Sequence, residues 1–287
     1  MIKKIDLHMH STVSDGTDTP EIILENVRAA GIDLFSLTDH DAIKGCLTIR
    51  SLLKDGDPAF ISGVEFSCKD EDGKYHILGY GYDPALPSIL NVVEAGHSLR
   101  MRKLDARLDF LKDEYGFEFS SEDVDMLHSI DNPGKPHIGN LMVKYGYAES
   151  KNVAIDNYLN KLKAKTGYVR PEQAIEGIAK AGGIPVLAHP AYGSGEELIL
   201  GAEMEARLKK LIGFGLKGME AFYSGFTDKI QDQMLGFAER YGLYITAGSD
   251  YHGKNKLVPL ADTNLYEDPS KWPKGLNDFL KKNGMIS

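Results

Sequence analysis

Six of the nine histidines in this 287-residue sequence, with two aspartates and one glutamate, fall at the ends of strand-like segments. They are His8, His10, Asp15, His40, Glu65, His76, His189, Asp250 and His252. The ends of parallel strands are where an α/β barrel presents its catalytic side chains. Imidazoles and carboxylates without a thiolate suit two or three divalent cations, and clusters of that kind hydrolyse phosphate esters. Taken singly the pieces are weak. His8-Met9-His10 could be packed core, and Asp15 within Ser14-Asp15-Gly16-Thr17 reads as a turn aspartate. Thr38-Asp39-His40-Asp41 could be a hydrogen-bonded strand end. Glu65 demands more, because a carboxylate after an apolar strand must be paired or bound to a cation. Recurrence at one end of successive strands makes metal binding the joint reading.

The elements that must position these residues follow one grammar. In Ile5–His10 the aliphatics Ile5, Leu7 and Met9 share one face, and Asp6, His8 and His10 share the other. Thr19-Pro20-Glu21 reads as an N-cap, a first-turn proline and an acidic first turn, and Gly31 ends that helix. Further strands are expected at 34–38, 60–64, 76–80, 184–188, 218–222 and 244–247. Strands alternating with helical patterns imply parallel α/β packing. Seven of them predict a distorted (β/α)7 barrel that is not fully closed. From 87 to 166 no strand signal appears. A long helix carrying Leu90, Val93, Leu104, Leu108 and Leu111 starts that stretch, with shorter helices near 138–143 and 153–162. The domain reading is therefore a barrel of residues 1–86 and 167–287 with a helical insertion, 87–166, capping its mouth, since loops on that face carry function.

A formal charge of −9 argues against a long nucleic-acid groove, but not against a small anionic substrate held through cations. The two cysteines, Cys46 and Cys68, form no CxxC pair and are expected as reduced thiols. No apolar run approaches the roughly 20 residues of a membrane span, and Met-Ile-Lys-Lys leads straight into a strand. A cytoplasmic enzyme is the expectation.

His8-Met9-His10-Ser11, Ser14-Asp15-Gly16, Thr38-Asp39-His40-Asp41, Gly63-Val64-Glu65, Ala188-His189-Pro190 and Gly248-Ser249-Asp250-Tyr251-His252 together resemble the PHP (polymerase and histidinol phosphatase) domain. Gly134-Lys135-Pro136-His137-Ile138 is similar to a motif of its TrpH-like phosphoesterase subgroup, where the first basic position is usually arginine. Lysine keeps the charge but loses bidentate geometry. The resemblance implies three divalent metal ions, Mn2+ foremost, with Fe2+ or Zn2+ as alternatives. One would take His8, His10, Glu65 and Asp250. A second would share Glu65 and add His76 and His189, and a third would sit with Asp15, His40 and His252. It also implies hydrolysis of a small phosphorylated nucleotide, foremost a nucleoside 3′,5′-bisphosphate, by a metal-bridging hydroxide. The leaving oxygen would be met by the third metal with its water, or by His137. Alternatives are a 5′-to-3′ exonuclease on short RNA, a histidinol-phosphate phosphatase and a non-enzymatic metal-holding domain.

Around this set, Lys135, His137 and Arg170 are the candidates for gripping substrate phosphate. Asp39 and Asp41 either orient histidine rings or close strand ends. Glu220 is a supporting residue rather than a ligand. Arg100 and Arg102 read as a solvated helix face, and His97 and His128 as surface or packing residues. Tyr168, Tyr192, Phe222 and Tyr223 read as core, with base stacking second.

Overall fold

The computed structural model describes residues 2–162, 167–193 and 197–286. Residues 163–166 of the expected insertion lie outside the described residues. The order is β1 (Ile5–Asp6), α1 (Pro20–Ala29), β2 (Leu34–Phe35), α2 (Lys44–Leu52), β3 (Ala59–Phe60), β4 (Gly63–Lys69) and β5 (Lys74–Tyr80). Four helices follow: α3 (Pro87–Tyr115), α4 (Ser121–Ser129), α5 (Lys135–Lys144) and α6 (Lys151–Asn157). Then come α7 (Pro171–Lys180), β6 (Ile184–Leu187), α8 (Gly201–Gly213), β7 (Gly218–Tyr223), α9 (Asp228–Tyr241), β8 (Tyr244–Gly248) and α10 (Lys274–Lys282). No helix among the described residues is long and apolar enough to cross a membrane.

The capping chemistry acts as its residue types dictate. The Thr19 side chain accepts a hydrogen bond from Ile22 N, Pro20 opens α1, and Gly31 leaves it at φ 63°. Ile23, Leu24 and Val27 are the buried face of α1, packed with Met9, Phe35, Leu37 and Ile49. Each fully buried aliphatic of this kind contributes about 1.5–3 kcal/mol.

The strands form two sheets, β1-β2-β3 and β4-β5-β6-β7-β8. This corrects the expectation of seven parallel strands in two respects. First, the stretch expected as one strand at 60–64 is two. β3 pairs with β2, and β4 turns away to pair with β5. Gly63 permits the switch, because a Cβ there would lie 2.1 Å from Ser36 Oγ and 2.8 Å from the Leu37 carbonyl. Second, β5 runs antiparallel to both β4 and β6. The Asp70–Gly73 turn is far too short for a helical crossover, so β5 must fold straight back. Its Asp70 N–H donates to Gly73 O at 3.0 Å, and Asp70 Oδ1 accepts from Asp72 N at 2.9 Å.

The sheets touch at both edges. Leu7 N donates to Ala247 O at 2.9 Å and Met9 bridges Tyr251, while His40 bridges Glu65. These contacts bring the ends of β1, β2, β4, β6 and β8 together. The helical stretch has its own core. The first half of α3 (Ile89 and Val92) packs in the main core, whereas Leu104 and Leu111 join Leu127, Ile138, Leu141, Met142, Ala154 and Leu159 in a second one. A single 29-residue helix thus ties the two cores together.

Candidate metal centre

The nine side chains converge, with Glu65 in the middle. Glu65 Oε2 lies 3.3 Å from His8 Nε2, 3.1 Å from His10 Nε2 and 3.2 Å from His40 Nδ1. Its Oε1 lies 2.9 Å from His76 Nδ1 and 3.2 Å from His189 Nε2. Asp250 Oδ1 stands 3.4 Å from both His8 Nε2 and His10 Nε2, and 3.5 Å from His252 Nδ1. Asp15 Oδ1 is 3.3 Å from His252 Nε2, 3.9 Å from His10 Nδ1 and 4.0 Å from His40 Nε2. Ligand atoms fall into overlapping groups whose members lie within 4.8 Å of one another: His10-Asp15-His40-His252, His8-His10-Glu65 and His40-Glu65-His76. His10 and His40 each belong to two groups, a sharing beyond the division that the family resemblance implies.

The local backbone explains how such a cluster is held. His189 (φ 25°), Asp250 (φ 58°) and Asp41 (φ 49°) occupy the left-handed region that side chains avoid, at about 1–3 kcal/mol each. Each is clamped there by its own N–H. His189 N donates to Glu220 Oε2 at 2.7 Å, Asp250 N to His8 O at 2.8 Å and Asp41 N to Glu65 O at 2.8 Å. Gly248 lets β8 pass beside β1, since a Cβ there would lie 2.2 Å from His8 Cβ. Buried Asp6 accepts from Ser249 N at 3.0 Å, Ser249 Oγ at 2.6 Å and Ala261 N at 2.8 Å, fixing the Asp250 turn against β1.

Burial alone would push the Glu65 carboxyl up, but the imidazoles of His76, His40 and His8 hold it well below the usual carboxylate range. Asp15 and Asp250 are held down against burial in the same way, by His252 and His40 and by His8 and His252. Burial opposes protonation of His10, yet Asp250 and Glu65 raise its pKa to about 9. A cation requires the neutral ring, so loading must expel protons. Apparent metal affinity is expected to fall about tenfold per pH unit, for each proton expelled, as pH drops below about 9. Manganese titrations in buffers of different ionisation enthalpy check this. A pH-independent affinity with no proton release would contradict it.

The residues present fit divalent cations. Among the described residues, His8 Nε2, His10 Nε2, His40 Nδ1, His189 Nδ1 and Asp15 Oδ1 are buried without a hydrogen-bond partner, a costly arrangement unless another group is meant to meet them. The donor set is all nitrogen and oxygen, and His8 is oriented from behind by Glu220 Oε1, 3.0 Å from its Nδ1. Glu220 is fully buried in β7 and also clamps His189 N. Glu220→Ala is therefore expected to weaken cation binding by about 10–100-fold. Retained metal after dialysis measures this, and an unchanged content would reject the orienting role.

Around the cluster the side chains sort differently from their sequence expectations. Asp39 reaches no ring; it accepts from Ser11 N (2.7 Å), Ser11 Oγ (2.8 Å) and Ser14 Oγ (2.8 Å), closing the loop after His10. Asp41 accepts from Arg100 Nε at 2.6 Å and Ser67 N at 3.1 Å. Arg100 is thus not a solvated residue; it turns inward, and its Nη2 reaches Ser67 Oγ at 2.8 Å. Arg102 is exposed. Arg170, expected at the substrate, pairs instead with Glu71 (3.4 Å) and Glu172 (3.5 Å) at the surface. His137 Nδ1 accepts from Gly134 N at 2.9 Å, closing the first turn of α5 and leaving its ring proton on Nε2. Lys135 Nζ reaches Asn160 Oδ1 at 2.5 Å. His97 contacts Asp131 O, His128 pairs with Asp105, and Phe222 is core.

Two cavities flank the cluster and share His40 and His76. The first, of about 210 Å³, is basic: Lys74, Arg100, Lys103, Arg107 and Lys135 line it, with Tyr168, Cys68 and the 133–136 segment. The second, of about 390 Å³, is lined by Tyr192, Tyr223, Gly225 and Lys256 beside the ligands. There Lys256 Nζ donates to Asp250 Oδ2 at 2.6 Å and to Tyr223 Oη at 2.8 Å. Lys74, Lys103, Arg107 and Lys256 were not singled out by the sequence, because isolated cations carry no spacing signal.

The PHP domain matches residues 6–286. A phosphoribosyl 1,2-cyclic phosphate 1,2-diphosphodiesterase of Eggerthella lenta is 30% identical over 265 residues, 88% of this chain and 96% of the relative. A 3′,5′-nucleoside bisphosphate phosphatase of Chromobacterium violaceum is 30% identical, over 86% and 87% of the two chains. A 5′-3′ exoribonuclease of Haemophilus influenzae is 30% identical, over 88% and 91%. A solved structure from Bifidobacterium adolescentis, assigned to the metal-dependent phosphoesterases, matches with TM-score 0.82 and 27% identity over 97% and 96%. A family match over nearly the whole length, with relatives that share it over most of theirs, leaves one assignment: the chain belongs to the PHP domain family.

Proposed function

We propose that this protein is a metal-dependent phosphoesterase that removes phosphate from a small nucleotide carrying a second phosphate, foremost a nucleoside 3′,5′-bisphosphate. One observation carries the reading: a basic cavity opens directly onto a cluster of cation ligands, with His40 and His76 in the walls of both cavities. A substrate anchored by one phosphate among Lys74, Arg100, Lys103 and Arg107 would present another ester to the ligand cluster. The bisphosphate phosphatase among the relatives acts on such a molecule.

When bound, divalent cations supply an activated water and neutralise charge on the phosphoryl oxygens. The proposed seats are His8, His10, Glu65 and Asp250 for one, Glu65, His76 and His189 for a second, and Asp15, His40 and His252 for a third, manganese being the first candidate. The protein's own residues hold this arrangement. Glu220 orients His8, Lys256 and Tyr223 hold the outer oxygen of Asp250, and His137 Nδ1 fixes Gly134 of the 133–136 segment that lines the first cavity. The two sheets are read as a distorted (β/α)7-type barrel, and residues 87–166 as its cap. Gly134, at the start of α5, supports the cap, because a Cβ there would lie 3.7 Å from Asp15 Cβ.

The test is phosphate release by manganese-loaded protein from a nucleoside 3′,5′-bisphosphate, a nucleoside 5′-monophosphate, histidinol phosphate and a 5′-phosphorylated oligoribonucleotide, side by side. Rapid release from the bisphosphate alone supports the reading. Mononucleotides appearing from the oligomer with little free phosphate would replace it with exonuclease action, as the Haemophilus influenzae relative is named.

A further inference from the structure

We propose that Lys103 is an acylation site for acyl phosphates, which would dock their phosphate in the basic cavity and transfer the acyl group to its Nζ. On α3, Arg100, Lys103 and Arg107 are spaced i, i+3, i+7 and so share one face, and all three line that cavity. Arg100 is neutralised by Asp41 at 2.6 Å. Lys103 has a different setting. Among the described residues it has no carboxylate within ion-pair distance, and its nitrogen stands 3.2 Å from the centroid of the Tyr168 ring. The charges acting most strongly on it are Arg100 and Arg107 on its own helix, Lys74 on β5 and Asp41 after β2, and Asp15, His40 and His76 also line the cavity. Lys69 of β4 also lies over the Tyr168 ring, 6.0 Å from its centroid.

Two consequences follow for an amine so placed. Burial, and then the positive charge of Arg100, bring the Lys103 pKa down to about 7, with Asp41 opposing. Exposed lysines such as Lys44 and Lys112, each paired with a carboxylate, have no such setting. A large share of Lys103 is therefore neutral amine near neutral pH, whereas an ordinary lysine with pKa about 10.4 is almost wholly ammonium. The second consequence is positional. The guanidiniums that flank Lys103 suit a phosphate, so a small phosphorylated acyl donor would bring its carbonyl carbon to the amine.

The chemistry balances without a further reactant. The Nζ lone pair attacks the acyl carbon, the bond from that carbon to the phosphate oxygen breaks, and inorganic phosphate leaves as the nitrogen loses a proton. An amide remains at Lys103, and an amine that could take up a proton is lost from the cavity wall. The device would make occupancy of the site sensitive to acyl phosphate.

The experiment incubates manganese-loaded protein with acetyl phosphate near neutral pH, replenishing the donor, and maps lysine acetylation by peptide mass spectrometry over time. Lys103 is expected to react about tenfold faster than any other lysine, and inorganic phosphate should slow it by competing for the docking position. Arg107→Met should slow it as well, while leaving acetylation of exposed lysines unchanged. Acetylation spread evenly over surface lysines would overturn the proposal. So would rapid modification of Lys103 that neither inorganic phosphate nor Arg107→Met slows, because docking would then play no part. The readout is mass and not ester hydrolysis, so failure here and failure of the proposed phosphatase activity are distinguishable.

Discussion

Glu65→Ala is expected to lower turnover by about three orders of magnitude or more, equivalent to about 4 kcal/mol of lost transition-state stabilisation. The size follows from its position. Five imidazoles lie within 3.3 Å of its two oxygens, so two of the proposed cation seats lose their shared ligand together. The loss cannot be made up by neighbours, because removing a buried charge leaves its partners uncompensated. Initial rates of phosphate release and metal content measured together check this. Asp250→Ala and His40→Ala should each abolish turnover while the far-ultraviolet dichroism stays near that of the parent. Full activity in any of the three, with metal retained, would remove the substituted residue from the mechanism.

Arg107→Met is expected to lower kcat/KM for a nucleoside 3′,5′-bisphosphate by about 10–100-fold, the loss of one charge-assisted contact worth about 1.5–3 kcal/mol. Hydrolysis of a simple aryl phosphate, which has no second phosphate to anchor, should change by about twofold at most. The contrast arises because Arg107 lines the basic cavity and is not among the cation-ligand groups. Burial, then Arg100, bring its pKa down to about 10, so it is still a full cation near neutral pH. Equal losses on both substrates would show that Arg107 supports the fold or the metals. No loss on either would remove the cavity from substrate binding.

The convergence of the nine side chains was legible because strand alternation is a strong local code. His8 and His10 had to share a face, and Glu65 after Gly63-Val64 had no bland explanation as a buried carboxylate. Helix charges carry no such code. Arg100, Lys103 and Arg107 look like any solvated face until α3 is docked, and docking depends on α3 spanning two cores, which sequence alone does not disclose. Arg170 misled for the opposite reason. Its place beside Pro171 suggested a return to the site, but Glu71 and Glu172 satisfy it at the surface. The direction of β5 was recoverable, since Asp70-Glu71-Asp72-Gly73 is turn chemistry, yet a strand that opens with a ligand reads the same in either direction. Glu220 was visible only as a carboxylate in a buried strand, and its grip on both His8 and His189 is a tertiary fact.

The pinning of the Ser249 turn by Asp6, across 243 positions of the sequence, has a consequence for biosynthesis. Ribosomes add about 5–20 residues per second, so His8 and His10 wait on the order of 10–50 s for the aspartate that completes their environment. During that interval the early strand pairs with nothing on its β8 side, and a cation held by His8, His10, Asp15 and Glu65 would still lack Asp250. A centre completed only when Asp250 arrives would therefore settle its choice of cation in the released chain, from the ions met after synthesis rather than during it.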